Sequence, residues 1–131
     1  MSDDGRTVLL VDDDEDFLLQ TATRLRADGF RVLEAAGQAA GEKAIDAGGF
    51  GIAVVDLMME EMDSGFVLCH RLKRRWPGVP ALLVTGVAGE TGLDFDAATD
   101  EERRWVKADA MLPKPVRYDR LRSEIERLLG R

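Results

Sequence analysis

Short apolar runs alternate along the chain with segments in which apolar residues recur every three or four positions. Five short runs are predicted to be strands, and the first, third and fourth are nearly all apolar, as in strands that are buried on both faces. They are TVLLV (7–11), RVLEA (31–35), GIAVVD (51–56), PALLVTG (80–86) and DAMLPKP (109–115).

The segments between and after these runs have helical periodicity. In the first of them Leu18, Ala22 and Leu25 recur at helical spacing, and Gly29 is a fitting C-terminal stop. Ser64 is expected to cap the third helix, and Thr99 opens a capping box for the fourth. The predicted helices are EDFLLQTATRLRADG (15–29), GQAAGEKAIDAGG (37–49), SGFVLCHRLKRRW (64–76), TDEERRWVK (99–107) and DRLRSEIERLLG (119–130).

Regular alternation of strands and helices predicts one α/β domain over residues 1–131, with a parallel sheet covered by helices on both faces. In such sheets, ligands bind outside the carboxyl ends of the strands. Polar residues stand at four of these ends and are expected to converge on one rim. They are Asp12 and Asp13 after the first strand, Asp56 on the third, Thr85 on the fourth and Lys114 after the fifth.

Composition narrows the class of protein. A chain of 131 residues with a formal charge of −7 lacks the clustered cations of a nucleic-acid surface. The basic run from Arg71 to Arg75 is interpreted as a solvated helix face. A lone Cys69, an acidic N-terminus and the lack of a long apolar run indicate a cytoplasmic protein without a membrane span.

The acidic run VLLVDDDEDF (8–17) needs an explanation, because neighbouring carboxylates repel one another unless a cation joins them. Mg²⁺ is the natural candidate, since it binds oxygen ligands. One carboxylate could be a nucleophile that forms an aspartyl-phosphate, with Lys114 and Thr85 contacting phosphoryl oxygens. For Asp14 and Asp16 a purely structural interpretation stays open, because aspartate often caps the start of a helix.

Four motifs in this order resemble the receiver domain of two-component response regulators. They are LLVDDDEDF, VVDLMMEEMDSG, LLVTG and MLPKP, and the likeness extends from Thr7 to Leu129. The resemblance implies a flavodoxin-like doubly wound sheet with strand order 2-1-3-4-5 and five helices. It also implies a signalling module that is switched by phosphorylation, and not an enzyme.

The resemblance assigns a role to each site residue. Asp56 would accept the phosphoryl group. Asp13 would bind Mg²⁺ directly and Asp12 through water, with the backbone carbonyl of Met58 as a further ligand. Thr85 would bond a phosphoryl oxygen and shift on phosphorylation. Lys114 would pair with the phosphate and precede a cis peptide bond to Pro115.

The chain departs from the family pattern at three places. The family usually has Pro and Gly four and eight residues after the phosphoacceptor, where this chain has Glu60 and Ser64. Met111 stands at the aromatic switch position, so signalling by a rotating ring is not expected. The segment 87–107 is longer than usual, and is interpreted either as a plain surface loop or as a partner-specific surface.

The expected partners follow from the family. A sensor histidine kinase or a phosphotransfer protein would be the donor. A downstream protein would bind the face built from the fourth predicted helix, the fifth strand and the fifth helix, and a homodimer is an open alternative. No output domain is expected within the chain. Two other functions stay open: a degenerate receiver that binds partners without phosphorylation, and an aspartyl-phosphate phosphatase, which Met58 disfavours because that class needs an acid there.

Overall fold

The computed structural model describes residues 3–56, 64–85 and 108–130, with the side chains of residues 3 and 4 left aside. Its centre is a five-stranded parallel sheet in the order β2-β1-β3-β4-β5. The strands are β1 (Thr7–Val11), β2 (Arg31–Ala35), β3 (Ile52–Asp56), β4 (Ala81–Thr85) and β5 (Ala110–Pro113). Both the parallel sheet and its predicted strand order are confirmed.

A 3₁₀ turn over Asp3–Arg6 precedes β1. Four α-helices lie within the described residues: α1 (Glu15–Ala27), α2 (Gln38–Ala47), α3 (Ser64–Arg75) and α4 (Tyr118–Leu128). The sequence predicted five. The missing one, predicted over 99–107, lies outside the described residues, so α4 corresponds to the fifth predicted helix.

The burial of the strands follows their composition. Every residue of β1, β3 and β4 is buried, as expected for continuous apolar runs covered on both faces. The edge strand β2 differs, because Val32 and Ala35 are buried while Arg31, Leu33 and Glu34 are exposed. Arg26 of α1 covers part of this edge, since it donates a hydrogen bond to the Val32 carbonyl and pairs with Glu34.

The sheet separates two apolar layers. On one face, β-strand residues pack with α1 and α4, whose buried residues include Leu18, Leu25, Leu121 and Ile125. The residues of the other layer come from the opposite sheet face together with α2 and α3. They include Ile45, Leu68, Cys69 and Leu72. Burial raises the pKa of the Cys69 thiol to about 12, so this cysteine is a packing residue.

Trp76 holds the C-terminal ends of α2 and α3 against each other. Its indole Nε1 donates to the Ile45 carbonyl at 2.6 Å. Gly48 has a φ of +72°, and a Cβ there would lie 2.8 Å from the Trp76 ring, so glycine is required for this close approach. Trp76 is therefore a packing residue between the two helices.

The basic run of α3 was interpreted as a solvated face, and Arg74 and Arg75 are exposed as that interpretation requires. The run also forms ion pairs that the interpretation did not include. Arg71 forms two hydrogen bonds with the Asp46 carboxylate, and Lys73 pairs with Asp109 at 2.7 Å. These cations therefore tie α3 to α2 and to the start of β5.

In the part of the chain that the structure describes, no helix is long and apolar enough to cross a membrane.

Candidate functional site

Adjacent parallel strands bring the acidic residues together. Val11 of β1 pairs with Val55 of β3, so Asp12 after β1 lies beside Asp56 at the end of β3. Ligand oxygens of Asp12, Asp13 and Asp56 all lie within 4.8 Å of one another. Asp12 and Asp56 are only 1% and 5% exposed, while Asp13 faces solvent. The predicted convergence of these three carboxylates on one rim is confirmed.

Both carboxylate oxygens of Asp12 accept hydrogen bonds. Its Oδ1 accepts a hydrogen bond from the backbone N–H of Asp14 at 2.9 Å, and its Oδ2 accepts one from Lys114 at 3.1 Å. Its own N–H donates to the Ala35 carbonyl of β2. These bonds compensate the burial of a charged group, which is costly without partners.

The remaining acids of the run belong to helix α1. The Asp14 side chain accepts hydrogen bonds from the N–H groups of Asp16 and Phe17, as an N-cap does. Glu15 and Asp16 occupy the first turn, where negative charge is favoured by the helix dipole. The acidic run therefore divides into a site pair, Asp12 and Asp13, and a capping group that begins at Asp14.

Lys114 enters the site from β5. Its Nζ lies 3.1 Å from Oδ2 of Asp12 and 3.6 Å from Oδ2 of Asp56, and it also lies over the Phe17 ring. Burial lowers the pKa of this ammonium, but the charges of Asp56 and Asp12 more than offset that effect, so the pKa of Lys114 is raised. The Lys114–Pro115 peptide is cis, as expected.

Thr85 ends β4 on the other side of β3 from Asp12. The residue is buried, and its carbonyl accepts a hydrogen bond from the Lys114 N–H at 2.6 Å. Met111 is partly buried against the apolar layer formed with α2 and α3. The expected backbone ligand at Met58, together with Glu60, lies outside the described residues, as does the segment 87–107.

The donor set suits a hard cation. Among the residues that the structure describes, three carboxylates lie together at the Lys114 ammonium, and two of them, Asp12 and Asp56, are buried. Mg²⁺ prefers such oxygen ligands and keeps several waters, which matches a site that is open at the exposed Asp13. Asp12, Asp13 and Asp56 therefore fit a Mg²⁺ ion.

Comparison with known proteins agrees with this geometry. The family model described as the response regulator receiver domain matches residues 8–126. The chain belongs to the response regulator receiver family. It is a receiver domain of the two-component type, and its acidic pocket is consistent with a phosphoacceptor site.

Relatives and solved structures support the assignment. The receiver is 32% identical over 126 residues to the transcriptional regulatory protein GlrR of Escherichia coli, covering 96% of this chain and 27% of that protein. It is 32% identical to the heme response regulator HssR of Staphylococcus aureus, covering 94% and 51%. The chain thus spans about a quarter to a half of these relatives. A CheY-like receiver of Methanospirillum hungatei superposes with a TM-score of 0.77 at 28% identity, covering 95% and 93%.

One feature of this receiver was missed by reasoning from sequence. Ser64 was expected to cap α3, which stays a prediction, and its hydroxyl also donates a hydrogen bond to the Gln38 side chain of α2 at 2.8 Å, a contact that was not predicted. The only signal in the sequence was the departure itself, a serine where the family usually has glycine. The partner on α2 carries no local signature.

Proposed function

We propose that this receiver takes a phosphoryl group onto Asp56 from the phosphohistidine of a sensor histidine kinase or a phosphotransfer protein, with Mg²⁺ bound at the acidic site. The observation that supports this is the approach of three carboxylates within 4.8 Å, opposite the Lys114 ammonium. Phosphoryl transfer depends mainly on positioning and charge stabilisation, and this arrangement offers both.

Asp56 is the carboxylate best placed to react. Its strand β3 lies between β1 and β4, so Asp56 stands between the acids after β1 and the hydroxyl of Thr85. Both oxygens of Asp12 accept hydrogen bonds from the protein, which suits a residue that supports the site. The Lys114 Nζ lies 3.6 Å from Oδ2 of Asp56 and 3.1 Å from Oδ2 of Asp12. The longer distance to Asp56 suits an ammonium that pairs with a phosphate added to Asp56.

In the proposed step, an oxygen of Asp56 forms a bond to phosphorus while the bond between phosphorus and the donor imidazole nitrogen breaks. The departing nitrogen keeps the bonding electrons and becomes neutral imidazole after protonation. Asp13 would hold the metal directly, Asp12 through water, and the Met58 carbonyl would complete the protein ligands. Bound Mg²⁺ supplies positive charge next to the phosphoryl oxygens. Lys114 and Thr85 would contact the other oxygens.

Mass spectrometry tests the assignment. With a small phosphodonor and Mg²⁺, the wild type should gain one phosphate and Asp56→Asn should gain none. Asp119→Asn is the matched control, because the Asp119 side chain is 77% exposed on α4 and is not part of the acidic cluster. Equal labelling of Asp56→Asn and the wild type would contradict the proposal, and a wild type that never labels would favour a phosphorylation-independent binding module.

The proposed output is a change in partner binding. Thr85 would move toward the new phosphate, and the Lys114 N–H bond to its carbonyl would carry that movement into β5. A downstream protein, or a second copy of the chain, would then bind at the face formed by the fourth predicted helix, β5 and α4. The chain matches only part of its longer relatives. That this receiver controls the activity of a whole regulator is therefore also a proposal.

A further inference from the structure

We propose that Phe17 is a positioning residue for the Lys114 ammonium, an inference that rests on the function proposed above. Phe17 ends the acidic run, and the roles proposed so far leave it without one. The Lys114 Nζ lies over the Phe17 ring, 5.1 Å from its centroid. An ammonium at this distance is attracted by the negative face of an aromatic ring.

The Lys114 side chain needs such a support. It has a long flexible stem, and 29% of it is exposed. Among the residues that the structure describes, its ammonium contacts the Asp12 carboxylate at 3.1 Å, the Asp56 carboxylate at 3.6 Å and the Phe17 ring. Both carboxylates belong to the proposed Mg²⁺ site, so their pull on the ammonium weakens when a cation binds beside them. The ring is neutral, and its attraction for the ammonium remains.

A closed loop of contacts fixes the ring relative to the site. The Asp14 N–H donates to Oδ1 of Asp12 at 2.9 Å, and the Phe17 N–H donates to Oδ1 of Asp14 at 3.2 Å. The Phe17 ring contacts Lys114, whose Nζ donates to Oδ2 of Asp12 at 3.1 Å. The loop thus joins the residue after β1, the first turn of α1 and the residue after β5. A displacement of Phe17 acts directly on the position of the ammonium.

The acidic run places Phe17 at this point. Asp14 is the N-cap of α1, and Phe17 is the third residue of the helix, so its backbone is held by the capping bond. Phe17 is half-buried and packs against the apolar layer formed with α1 and α4. The cap and this packing restrict the movement of the ring, so that its face stays available to the ammonium.

A packing role alone makes a different prediction from a positioning role. Packing requires an apolar side chain of similar size, which leucine supplies, whereas attraction of an ammonium requires an aromatic face. Phe17→Leu therefore removes the contact with Lys114 and keeps most of the apolar burial, while Phe17→Tyr keeps the ring. Leu128→Ala is the control for packing, because Leu128 is also partly buried against the same layer, at the C-terminal end of α4.

The first measurement is the rate of phosphorylation by a small phosphodonor with Mg²⁺. Phe17→Leu should lower this rate about 5-fold, which is the effect expected from the loss of one cation–π contact. Phe17→Tyr should keep the wild-type rate. Leu128→Ala should lower the melting temperature and leave the rate unchanged.

The Lys114→Met background shows whether Phe17 acts through the ammonium. In that background, Phe17→Leu should lower the residual rate no further, because both substitutions remove the same contact. An equal effect of Phe17→Leu with and without the ammonium overturns the proposal, since Phe17 would then act by packing alone.

Nuclear magnetic resonance of the lysine ε protons provides a readout that does not depend on phosphorylation. Protons over the face of an aromatic ring resonate upfield of their usual position, and Lys114→Met identifies the resonance. The Lys114 ε protons should be displaced upfield in the wild type and in Phe17→Tyr, but not in Phe17→Leu. The displacement should persist when Mg²⁺ is added. Ordinary ε-proton shifts in the wild type overturn the proposal.

These measurements separate the two proposals. A wild type that is not labelled contradicts the phosphoacceptor function, while the ε-proton shift still decides whether Phe17 holds the ammonium. A labelled wild type with an equal rate in Phe17→Leu contradicts the positioning role alone.

Discussion

The ammonium nitrogen of Lys114 lies 3.1 Å from Oδ2 of Asp12, although 102 positions separate the two residues in the sequence. The Asp12 carboxylate is almost fully buried, whereas the Lys114 side chain is 29% exposed. This contact crosses the rim of the sheet from β5 to β1. It supplies the counter-charge that lets Asp12 and Asp56 remain side by side inside the protein.

Replacing Lys114 with methionine should therefore destabilise the protein when no divalent cation is present. We expect a loss of about 2 kcal/mol in the free energy of unfolding, because two buried carboxylates lose their shared partner. Added Mg²⁺ should restore part of this loss by providing another positive charge. Urea unfolding with and without Mg²⁺ measures both effects, and Lys43→Met, at an exposed position on α2, is the control.

The stabilisation by Lys114 should also depend on pH in a defined direction. Because its pKa is raised above the ordinary value of 10.5, the contribution is fully present below that value and is lost as the pH rises through the raised pKa. The stability difference between wild type and Lys114→Met should thus be constant near neutrality and shrink in strong alkali. A difference that grows with pH contradicts the assignment of the ion pairs.

Asp13 and Asp14 are neighbours with different roles, and single substitutions should separate them. Asp14→Ala should cost about 1 kcal/mol of stability, since α1 loses its N-cap, but should keep the stabilisation by Mg²⁺. Asp13→Ala should lose that stabilisation without unfolding the protein, because Asp13 is exposed and its carboxylate belongs to the acidic cluster proposed to bind Mg²⁺.

Thermal melting at increasing Mg²⁺ concentration tests both substitutions, with Ca²⁺ and monovalent salt as controls for general ionic effects. An Asp13→Ala protein whose melting temperature still rises with Mg²⁺ as in the wild type contradicts the role of Asp13 as a ligand.

Much of the fold and of the site could be predicted from the sequence because their signals are local. Apolar runs at 7–11 and 51–56 predict buried strands, and alternation with helices then predicts a parallel sheet. Once the strands are parallel, residues at their carboxyl ends must share one edge. That reasoning predicts that Asp12, Asp56 and Lys114 meet at this edge, as they do.

Contacts between side chains of distant helices could not be predicted in the same way. The run from Arg71 to Arg75 has the composition of a solvated face, and nothing next to it indicates that Asp46 is the partner of Arg71. Gln38 opens a helix of modest propensity, so its bond to Ser64 also lacks a signature. Such pairs depend on how the helices dock, and docking is set by the whole core.

Tyr118 and Asp28 form another such pair, which links the start of α4 to the end of α1. The Tyr118 hydroxyl donates to the Asp28 carboxylate. Burial and this bond raise the pKa of Tyr118 to about 12. Asp28→Asn should lower that pKa toward the ordinary value of 10.0, because the negative acceptor is removed.

Ultraviolet absorbance of the tyrosinate measures this pKa directly, since the chain contains one tyrosine. A raised pKa means that the stabilisation by Tyr118 is present below pH 10.0 and is lost at higher pH, so Tyr118→Phe should weaken the alkaline decline in stability. Asp119→Asn should leave the pKa unchanged. An unchanged pKa in Asp28→Asn would contradict the bond.

The signal from a phosphorylated site is expected to pass through Thr85 to other parts of the receiver. Thr85 is the last residue of β4, and its carbonyl accepts the Lys114 N–H, so a movement of Thr85 acts both on β5 and on the chain that follows it. Met111, where the family resemblance would place an aromatic switch residue, packs against the layer formed with α2 and α3. Methionine is flexible and can repack, but it has no ring whose rotation carries a signal.

We therefore expect phosphorylation to change hydrogen exchange across 87–107 more than across β5, because the long segment directly follows Thr85. The change should be absent in Asp56→Asn, which lacks the proposed phosphoacceptor. It should be reduced in Thr85→Ala, which loses the hydroxyl that is drawn toward the phosphate by charge-assisted hydrogen bonding. Met111→Phe should shift part of the response into β5, because an aromatic side chain restores the usual coupling. If 87–107 exchanges identically in both states of the wild type, the segment is a passive insertion and the switch lies in another part of the receiver.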